Sequence, residues 1–210
     1  MALQYILFDL DNTLYSPRYG LELNVGRRIV EFLAAYLGLS WEEALGQRRE
    51  RIQRYGTTLE WLMAEKGYTD IEAYYKTIHP AGEADSLAPD PALRDFLTSL
   101  PLPRGILTNS PKEHADRILA KLGIEDLFTH IFDIRWNDFK GKPHAAAFHR
   151  ALNALGTIPE TTLFIDDSPR YVSGYCALGG PGLLLDEENA YPAYPHPRIR
   201  DLRELTGFLR

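Results

Sequence analysis

The N-terminal part of the chain contains a short apolar run, Tyr5 to Phe8, that is followed directly by polar residues. An apolar run of this length predicts a strand that is buried on both faces. Asp9 and Asp11 come just after it, and residues spaced by two leave a strand on the same side. Two carboxylates are therefore predicted to face one point. Because Asp residues after a strand more often cap turns or helices, this pair indicates a site only if partners occur elsewhere.

The chain between residues 16 and 89 has the periodicity of helices. Apolar residues recur three and four positions apart, and the residues that begin the predicted helices include Ser40, Thr57 and Asp70. Ser40 and Thr57 each precede a glutamate by three residues, which is the spacing of a capping box. No part of this segment predicts a strand, so we expect an all-helical insert.

Beyond Pro91 the pattern alternates between strands and helices. Pro89 and Pro91 interrupt the preceding helical pattern because proline cannot continue a helix. Further strands are predicted at 105–108, 130–134, 162–165 and 182–185, with helices at 92–100, 110–122, 143–155, 169–178 and 201–209. Such alternation implies a parallel sheet with right-handed crossovers. We therefore predict an α/β fold with a Rossmann-like, doubly wound parallel sheet core (residues 1–15 and 90–210) and an inserted all-helical domain (residues 16–89).

The composition argues against several classes of protein. The 210 residues carry a formal net charge of −6, whereas affinity for a nucleic-acid polymer comes from phosphate neutralisation by Lys and Arg. The single cysteine, Cys176, cannot form an intrachain disulfide. No apolar run approaches the ~20 residues of a membrane span, and no basic leader precedes an apolar stretch. We expect a cytoplasmic protein without a membrane partner. The net charge does not exclude a small phosphorylated ligand, because such a ligand needs only a local positive site.

Polar residues that could carry chemistry follow three of the predicted strands. They are Asp9 and Asp11 after the first strand, Thr108, Asn109 and Ser110 after the second, and Asp166 and Asp167 after the strand at 162–165. In open α/β sheets the ligand site lies at the carboxyl ends of the strands, so these residues are expected to meet. Lys142 stands just before Pro143, at the start of a predicted helix. Acids that could hold Mg²⁺, hydroxyl and amide donors, and a lysine together compose a phosphoryl-transfer site.

Four segments resemble the motifs of the haloacid dehalogenase-like (HAD) hydrolase superfamily, in the order found in that family. They are Asp9-Leu10-Asp11-Asn12-Thr13-Leu14 (motif I), Leu107-Thr108-Asn109-Ser110 (motif II), Lys142-Pro143 (motif III) and Ile165-Asp166-Asp167-Ser168 (motif IV). The helical segment 16–89 resembles the C1 cap of that family. Residues 8–15, with the segment 55–59 (Tyr-Gly-Thr-Thr-Leu), resemble more narrowly the pyrimidine 5'-nucleotidase-like branch. Tyr171 departs from the pattern, since relatives usually carry Asn there.

The resemblance implies a role for each acid. Asp9 would attack phosphorus and form an aspartyl-phosphate, and Asp11 would protonate the leaving group and then activate water. Mg²⁺ would be held by the Asp9 carboxylate, the Asp11 backbone carbonyl and Asp167, with Asp166 tuning the metal shell from behind. The reverse assignment of Asp166 and Asp167 stays open.

The resemblance also implies residues that bind the phosphoryl group and the substrate. The Thr108 hydroxyl and the Asn109 N–H would bind phosphoryl oxygens, and Lys142 would neutralise charge. Lys140 is the alternative to Lys142, and Tyr55 is a candidate for the cleft between cap and core. Three further features are interpreted as structural: the arginines between 48 and 54 as a solvated helix face, Ser110 as helix-start chemistry, and His79 as packing or surface.

The function predicted from these features is hydrolysis of a small phosphomonoester, such as a nucleoside monophosphate, by a magnesium-dependent phosphatase. A haloacid dehalogenase is one alternative. Halide leaves without a proton, so that chemistry needs neither a metal nor the acid at position 11, and the presence of Asp11 and Asp167 argues against it. The second alternative is a non-catalytic protein that binds a phosphorylated ligand on the same fold. The substrate and the oligomeric state are not predicted.

Overall fold

A six-stranded parallel sheet forms the centre of the computed structural model, which describes residues 2–209. The strands are β1 (Tyr5–Phe8), β2 (Arg104–Leu107), β3 (Ile131–Phe132), β4 (Thr162–Asp166), β5 (Gly182–Leu185) and β6 (Arg198–Ile199). Their order is β3-β2-β1-β4-β5-β6, with β1 paired to both β2 and β4. This is the strand order of a Rossmann-like doubly wound sheet. The predicted fold class is confirmed.

The described part of the chain also contains eight α-helices. They are α1 (Leu21–Leu37), α2 (Trp41–Arg51), α3 (Thr58–Lys66), α4 (Ile71–Ile78), α5 (Pro91–Ser99), α6 (Lys112–Leu122), α7 (Ala145–Leu155) and α8 (Pro169–Cys176). Ser40 begins α2 with a complete capping box, while Thr57 and Asp70 begin α3 and α4 with a single side-chain bond each. Among residues 2–209, no helix has the length and apolar character needed to cross a bilayer.

Several predicted boundaries differ from the structure. Ser110 is not the N-cap of α6: Pro111 occupies that position, and the Asp133 carboxylate accepts from Lys112 N at 3.0 Å. Helix α7 begins at Ala145 and not at residue 143, because His144 N donates to Gly141 O in a turn that precedes the helix. The strand predicted at 130–134 is shorter, because the Asp133 carboxylate bonds to backbone N–H groups at both its oxygens.

The C-terminal region contains a strand that the sequence did not predict. β6 pairs with β5 and is the edge strand on that side of the sheet. After β6, residues Leu202–Phe208 form a 3-10 helix where an α-helix was predicted. Its first turn is closed by Glu204 N on Asp201 O, a bond across three residues that is characteristic of this tighter helix.

Both faces of the sheet are buried, as the continuous apolar strands predict. Ile6 and Phe8 pack into the cluster on one face, together with residues of α5 and α6. Leu7 points to the opposite face and packs with Phe148 of α7 and Tyr175 of α8. Successive residues of a strand point to opposite faces, so four consecutive apolar residues serve both layers.

The segment 16–89 has a hydrophobic cluster of its own. Helices α1 to α4 bury Leu33, Leu59 and Trp61 among themselves, each at 1% exposure or less. Ile134, which follows β3, also belongs to this cluster. The helical segment, called the insert below, therefore rests on the end of the sheet that carries the predicted site. The domain bounds 16–89 and 1–15 with 90–210 stay a prediction.

Gly182 in β5 provides a test of how tightly α8 packs on the sheet. A Cβ added there would lie 2.7 Å from Cys176 Sγ and 2.8 Å from Val172 Cγ1. We expect Gly182→Ala to lower the free energy of unfolding by about 1–3 kcal/mol, as measured by urea denaturation, because the helix must move. The control is Gly46→Ala in α2, where a Cβ meets nothing within 4 Å. That change should be neutral or stabilise by up to about 1 kcal/mol. Equal changes in the free energy of unfolding for the two variants would contradict the tight packing of α8 on β5.

Candidate active site

The strand order brings three of the predicted segments together. β1 lies between β2 and β4, and Phe8 is in register with Ile106 on one side and Ile165 on the other. The residues after these positions therefore emerge side by side at the carboxyl edge of the sheet. Asp9 N donates to Ile165 O at 2.8 Å, which fixes Asp9 next to the end of β4.

Lys142 lies between two of the acids. Its Nζ is 2.6 Å from Asp9 Oδ1 and 2.5 Å from Asp166 Oδ2, and the residue is fully buried. The rings of Phe164 and Tyr171 lie 5.4 and 5.0 Å from the same ammonium group. This contact gives the unusual Tyr171 a physical role, since an aromatic face stabilises a buried cation. Lys140 is exposed and contacts none of these acids, so the geometry favours Lys142 as the amine of the site.

The Asn109 side chain holds the backbone of Lys142. Its Oδ1 accepts from Lys142 N at 2.7 Å, and its Nδ2 donates to Lys142 O at 2.9 Å and to the Tyr171 hydroxyl at 3.2 Å. Thr108 is buried at the end of β2 and its hydroxyl accepts from Ser110 N at 3.0 Å. Thr108 and Asn109 both line the cavity above the acids, where the sequence predicted contacts with a phosphoryl group.

The acids outnumber the amines around Asp9. Carboxylate oxygens of Asp9, Asp166 and Asp167 lie within 4.8 Å of one another, a spacing that could hold a metal ion. Burial and the charge of Asp9 raise the pKa of Asp167 to about 8, and burial and the charges of Asp11 and Asp9 raise the pKa of Glu22 to about 7. Burial likewise raises the pKa of Asp9. A set of oxygen ligands with excess negative charge fits Mg²⁺.

Asp166 and Asp167 lie in different surroundings. Asp166 is fully buried, with Oδ2 on Lys142 and Oδ1 accepting from Ser168 N at 2.8 Å. Asp167 lines the cavity, and its Oδ2 accepts from Asn12 Nδ2 at 3.3 Å. Asp167 is therefore the better placed of the two to meet an ion in the cavity, and Asp166 to support Lys142.

Asp11 belongs to a separate hydrogen-bond network. Its Oδ1 accepts from the Tyr15 hydroxyl at 2.6 Å and lies 2.7 Å from His114 Nε2, and its Oδ2 accepts from the Ser110 hydroxyl at 2.8 Å. Burial raises the pKa of Asp11, but His114, Tyr15 and Ser110 together hold it well below its ordinary range. Ser110 thus contacts the predicted acid, whereas the sequence assigned it to the start of a helix.

The sequence analysis did not predict His114 or Glu83. His114 is fully buried, with Nε2 on Asp11 and Nδ1 2.8 Å from Glu83 Oε1. Burial lowers the pKa of His114, but Asp11 and Glu83 outweigh it and raise the pKa to about 10. The one available signal was the place of His114 on the apolar face of α6, beside Ala115 and Ile118. A titratable residue on a buried helix face needs a polar partner.

A cavity of about 350 Å³ lies between the sheet edge and the insert. The insert contributes apolar and aromatic walls, with polar groups that include Glu22 and Arg48. Arg48 Nε donates to Thr58 Oγ1 at 3.2 Å, and none of the carboxylates in residues 2–209 pairs with it. Arg48 was interpreted as part of a solvated face, whereas in the structure it is half-buried and lines the cavity. Tyr55 does not line the cavity; its hydroxyl donates to Glu65, which does not support the predicted substrate contact.

The insert and the core contact each other next to the cavity. Arg170 at the start of α8 donates to the backbone carbonyls of Ile52 and Gln53 at 2.7 and 3.0 Å. His144 Nε2 lies 2.9 Å from Glu60 Oε2. Gly56 approaches so closely that a Cβ there would lie 2.9 Å from Lys142 O. These contacts hold the loop 52–57 directly against the site.

The family model described as haloacid dehalogenase-like hydrolase matches residues 3–174. The chain belongs to this family. The resemblance inferred from the four motifs is thereby confirmed at the level of the superfamily, while the narrower nucleotidase-like branch stays a prediction.

Relatives of this HAD-like hydrolase include phosphatases. It is 29% identical over 205 residues to Phosphate metabolism protein 8 of Saccharomyces cerevisiae. This alignment covers 90% of the chain and 64% of the yeast protein. It is 29% identical over 198 residues to a Phosphoglycolate phosphatase of Yersinia pestis, over 86% of the chain and 79% of that protein. The crystal structure of a HAD phosphatase from Thermococcus onnurineus superposes with a TM-score of 0.66 at 21% identity, over 99% and 98% of the two chains. The family match supports a hydrolase, and the chain spans less than two thirds of the length of the yeast relative.

Replacing Lys142 tests the charge balance of the site. We expect Lys142→Met to lower the free energy of unfolding by about 3–5 kcal/mol, because Asp9 and Asp166 lose their buried partner. Urea denaturation measures this change. The control, Lys140→Met, removes an exposed lysine and should stay within about 0.5 kcal/mol of the parent. Adding Asp166→Asn to Lys142→Met should recover part of the loss. An unchanged Lys142→Met variant would show that the ion pairs are not needed for stability.

Proposed function

We propose that this HAD-like hydrolase is a magnesium-dependent phosphatase that hydrolyses a small phosphomonoester through an aspartyl-phosphate on Asp9. The observation that carries the proposal is the division of two neighbouring acids between two networks. Asp9 pairs with Lys142 beside Asp166 and Asp167, and Asp11 is held separately by Tyr15, Ser110 and His114. One acid is thus supplied for attack and another for proton transfer. The phosphatases among the relatives agree with this reaction class.

In the first step an Asp9 carboxylate oxygen forms a bond to phosphorus while the bond from phosphorus to the leaving oxygen breaks. Asp11 in its acid form gives its proton to that oxygen, so that the alcohol leaves neutral. The negative charge of a bound phosphate raises the pKa of Asp11, which favours the acid form at this stage. Lys142, with the Thr108 hydroxyl and the Asn109 N–H, stabilises charge on the phosphoryl oxygens.

In the second step water attacks the phosphorus of the aspartyl-phosphate. The Asp11 carboxylate takes a proton from the water, and the bond between phosphorus and Asp9 breaks. Inorganic phosphate and the Asp9 carboxylate result, and Asp11 carries the proton for the next cycle. The three donors around Asp11 stabilise the carboxylate form that this step needs.

The residues present fit Mg²⁺. The Asp9 carboxylate, the Asp11 backbone carbonyl and Asp167 would hold it, with Asp166 as support. When bound, the ion offsets the repulsion between these carboxylates and a phosphate group. Lys142 alone does not balance the acids, as the raised pKa of Asp167 indicates.

The insert would act as a cap that covers the reaction and selects the substrate. It supplies most of the apolar walls of the cavity, and its Gly56 packs closely against the backbone carbonyl of Lys142. A covered site excludes bulk water and strengthens the charge interactions inside it. A nucleoside monophosphate is one substrate compatible with the aromatic residues Tyr74 and Tyr75 in the wall.

Hydrolysis of p-nitrophenyl phosphate tests the proposed function. We expect turnover that depends on added Mg²⁺, is lost with EDTA and returns when Mg²⁺ is restored. Asp9→Asn should reduce kcat by at least about 10³-fold, because the amide cannot form the acyl-phosphate. Since Asn keeps the size of Asp, the thermal unfolding midpoint serves as the control for folding. Turnover in Asp9→Asn equal to that of the parent, or release of chloride from 2-chloropropionate in place of phosphate release, would refute the proposal.

Arg48 is predicted to favour substrates with a second anionic group. We expect Arg48→Met to lower kcat/KM about tenfold or more for 4-carboxyphenyl phosphate and little for phenyl phosphate, because the guanidinium bonds the carboxylate. The matched control is Arg49→Met, since Arg49 is exposed on the same helix and does not line the cavity. Equal losses of kcat/KM for both substrates would show that Arg48 does not bind the carboxylate of 4-carboxyphenyl phosphate.

A further inference from the structure

The Asp11 carboxylate is linked to the insert through a single buried imidazole. His114 Nε2 lies 2.7 Å from Asp11 Oδ1, and His114 Nδ1 lies 2.8 Å from Glu83 Oε1. Both ring nitrogens are engaged, and the residue has no exposed surface. Carboxylates accept hydrogen bonds, so each nitrogen acts as a donor in this arrangement. The ring therefore cannot turn without breaking a bond at one end.

Glu83 is held by groups from the insert and from the core. His79 Nδ1 lies 2.8 Å from its Oε2, and Arg28 Nη2 lies 3.8 Å from the same oxygen; both residues belong to the insert. Arg117 of α6 donates to Oε1 at 2.5 Å. The Glu83 side chain is only 2% exposed. The position of Glu83, and through it the orientation of His114, is therefore set where the insert meets the core.

A metal site is the competing interpretation of this cluster. Ligand atoms of His79, Glu83 and His114 lie within 4.8 Å of one another, as a metal site requires. However, Arg28 and Arg117 already face Glu83, and a cation placed there would meet both guanidinium groups. His114 Nε2 is also committed to Asp11. The contacts therefore favour a hydrogen-bonded link over a bound ion.

We propose that His114, oriented by Glu83, is a positioning residue that holds the Asp11 carboxylate in place for proton transfer. This inference rests on the proposed function. An Asp side chain has two rotatable bonds, and besides His114 only the Tyr15 and Ser110 hydroxyls bond the Asp11 carboxylate among residues 2–209. A proton donor must lie within hydrogen-bond reach of the leaving oxygen, and small displacements of a reacting group lower the rate strongly. Because Glu83 belongs to the insert, the link also makes the orientation of Asp11 depend on how the insert is seated.

The leaving group provides a test that a merely structural role would not pass. p-Nitrophenolate leaves without a proton, whereas an alkyl alkoxide requires one, so misplacement of Asp11 affects mainly alkyl phosphates. We expect His114→Leu to lower kcat for glycerol phosphate at least about tenfold more than kcat for p-nitrophenyl phosphate, with KM for both substrates little changed. His114→Gln keeps an amide donor near the place of Nε2 and should recover part of the loss. Glu83→Gln, which keeps the shape of Glu83, should show the same preference to a smaller extent.

A matched control separates positioning from loss of stability. Leu119 lies on the same helix as His114, is 1% exposed and packs in the hydrophobic cluster that contains Ile6 and Phe8. Leu119→Ala removes buried contacts and should lower activity on both substrates equally, if at all. Equal losses in His114→Leu would overturn the proposal, as would unchanged activity on glycerol phosphate. If His114→Leu does not fold, the same comparison of the two substrates in His114→Gln and Glu83→Gln decides the outcome.

The outcomes also distinguish this inference from the proposed function. A parent enzyme that hydrolyses both phosphates while the His114 variants lose activity on them equally overturns only the positioning role. A parent enzyme that releases phosphate from neither substrate with Mg²⁺ present overturns both. Preferential loss on glycerol phosphate, with recovery in His114→Gln, supports both.

Discussion

Buried negative charge at the carboxyl edge of the sheet is the constraint on which the rest of the site depends. The pairing of β1 with β4 places Asp9 beside Asp166 and Asp167, and the burial of Asp9 and Asp166 weakens the screening of these charges by water. Lys142 offsets part of this negative charge, and neighbouring residues hold its ammonium group between the acids. Asn109 holds its backbone at both the N–H and the carbonyl, and two aromatic rings lie against its ammonium group. The charge that remains uncompensated is what a divalent ion would offset.

The two acids of the first motif illustrate how packing separates groups that are close in sequence. Asp9 and Asp11 are two residues apart, yet burial raises the pKa of the first while hydrogen-bond donors hold the pKa of the second below its usual range. The first step of the proposed reaction needs Asp9 as a carboxylate and Asp11 in its acid form, so these two pKa shifts are opposite to those that the step needs. A bound cation lowers the pKa of Asp9, and a bound phosphate raises that of Asp11. Under the proposed function the ligands themselves therefore set the reactive protonation states.

The insert contributes more than a wall of the cavity. Its loop 52–57 is tied to α8 by Arg170, and its other end contributes Glu83 to the network around His114 and Asp11. Movement of the insert would therefore disturb both the cover of the site and the seating of the predicted acid. Arg170 makes the first contact through backbone carbonyls of the insert, and Glu83 makes the second through buried charged and imidazole partners, so both depend on where the insert lies.

The sequence by itself determined five of the six strands, the alternation with helices and the acids at the strand ends. These features are local: periodicity in hydrophobicity and the spacing of two residues in a strand depend only on neighbours in the chain. The tertiary structure alone decided that Ser110 contacts Asp11, that Arg48 lines the cavity while Tyr55 does not, and that Asp11, His114 and Glu83 are linked. His114 is separated from Glu83 by 31 positions and from Asp11 by 103. No local pattern encodes such a pair, because its distance is set by how the insert packs on α6 and the sheet.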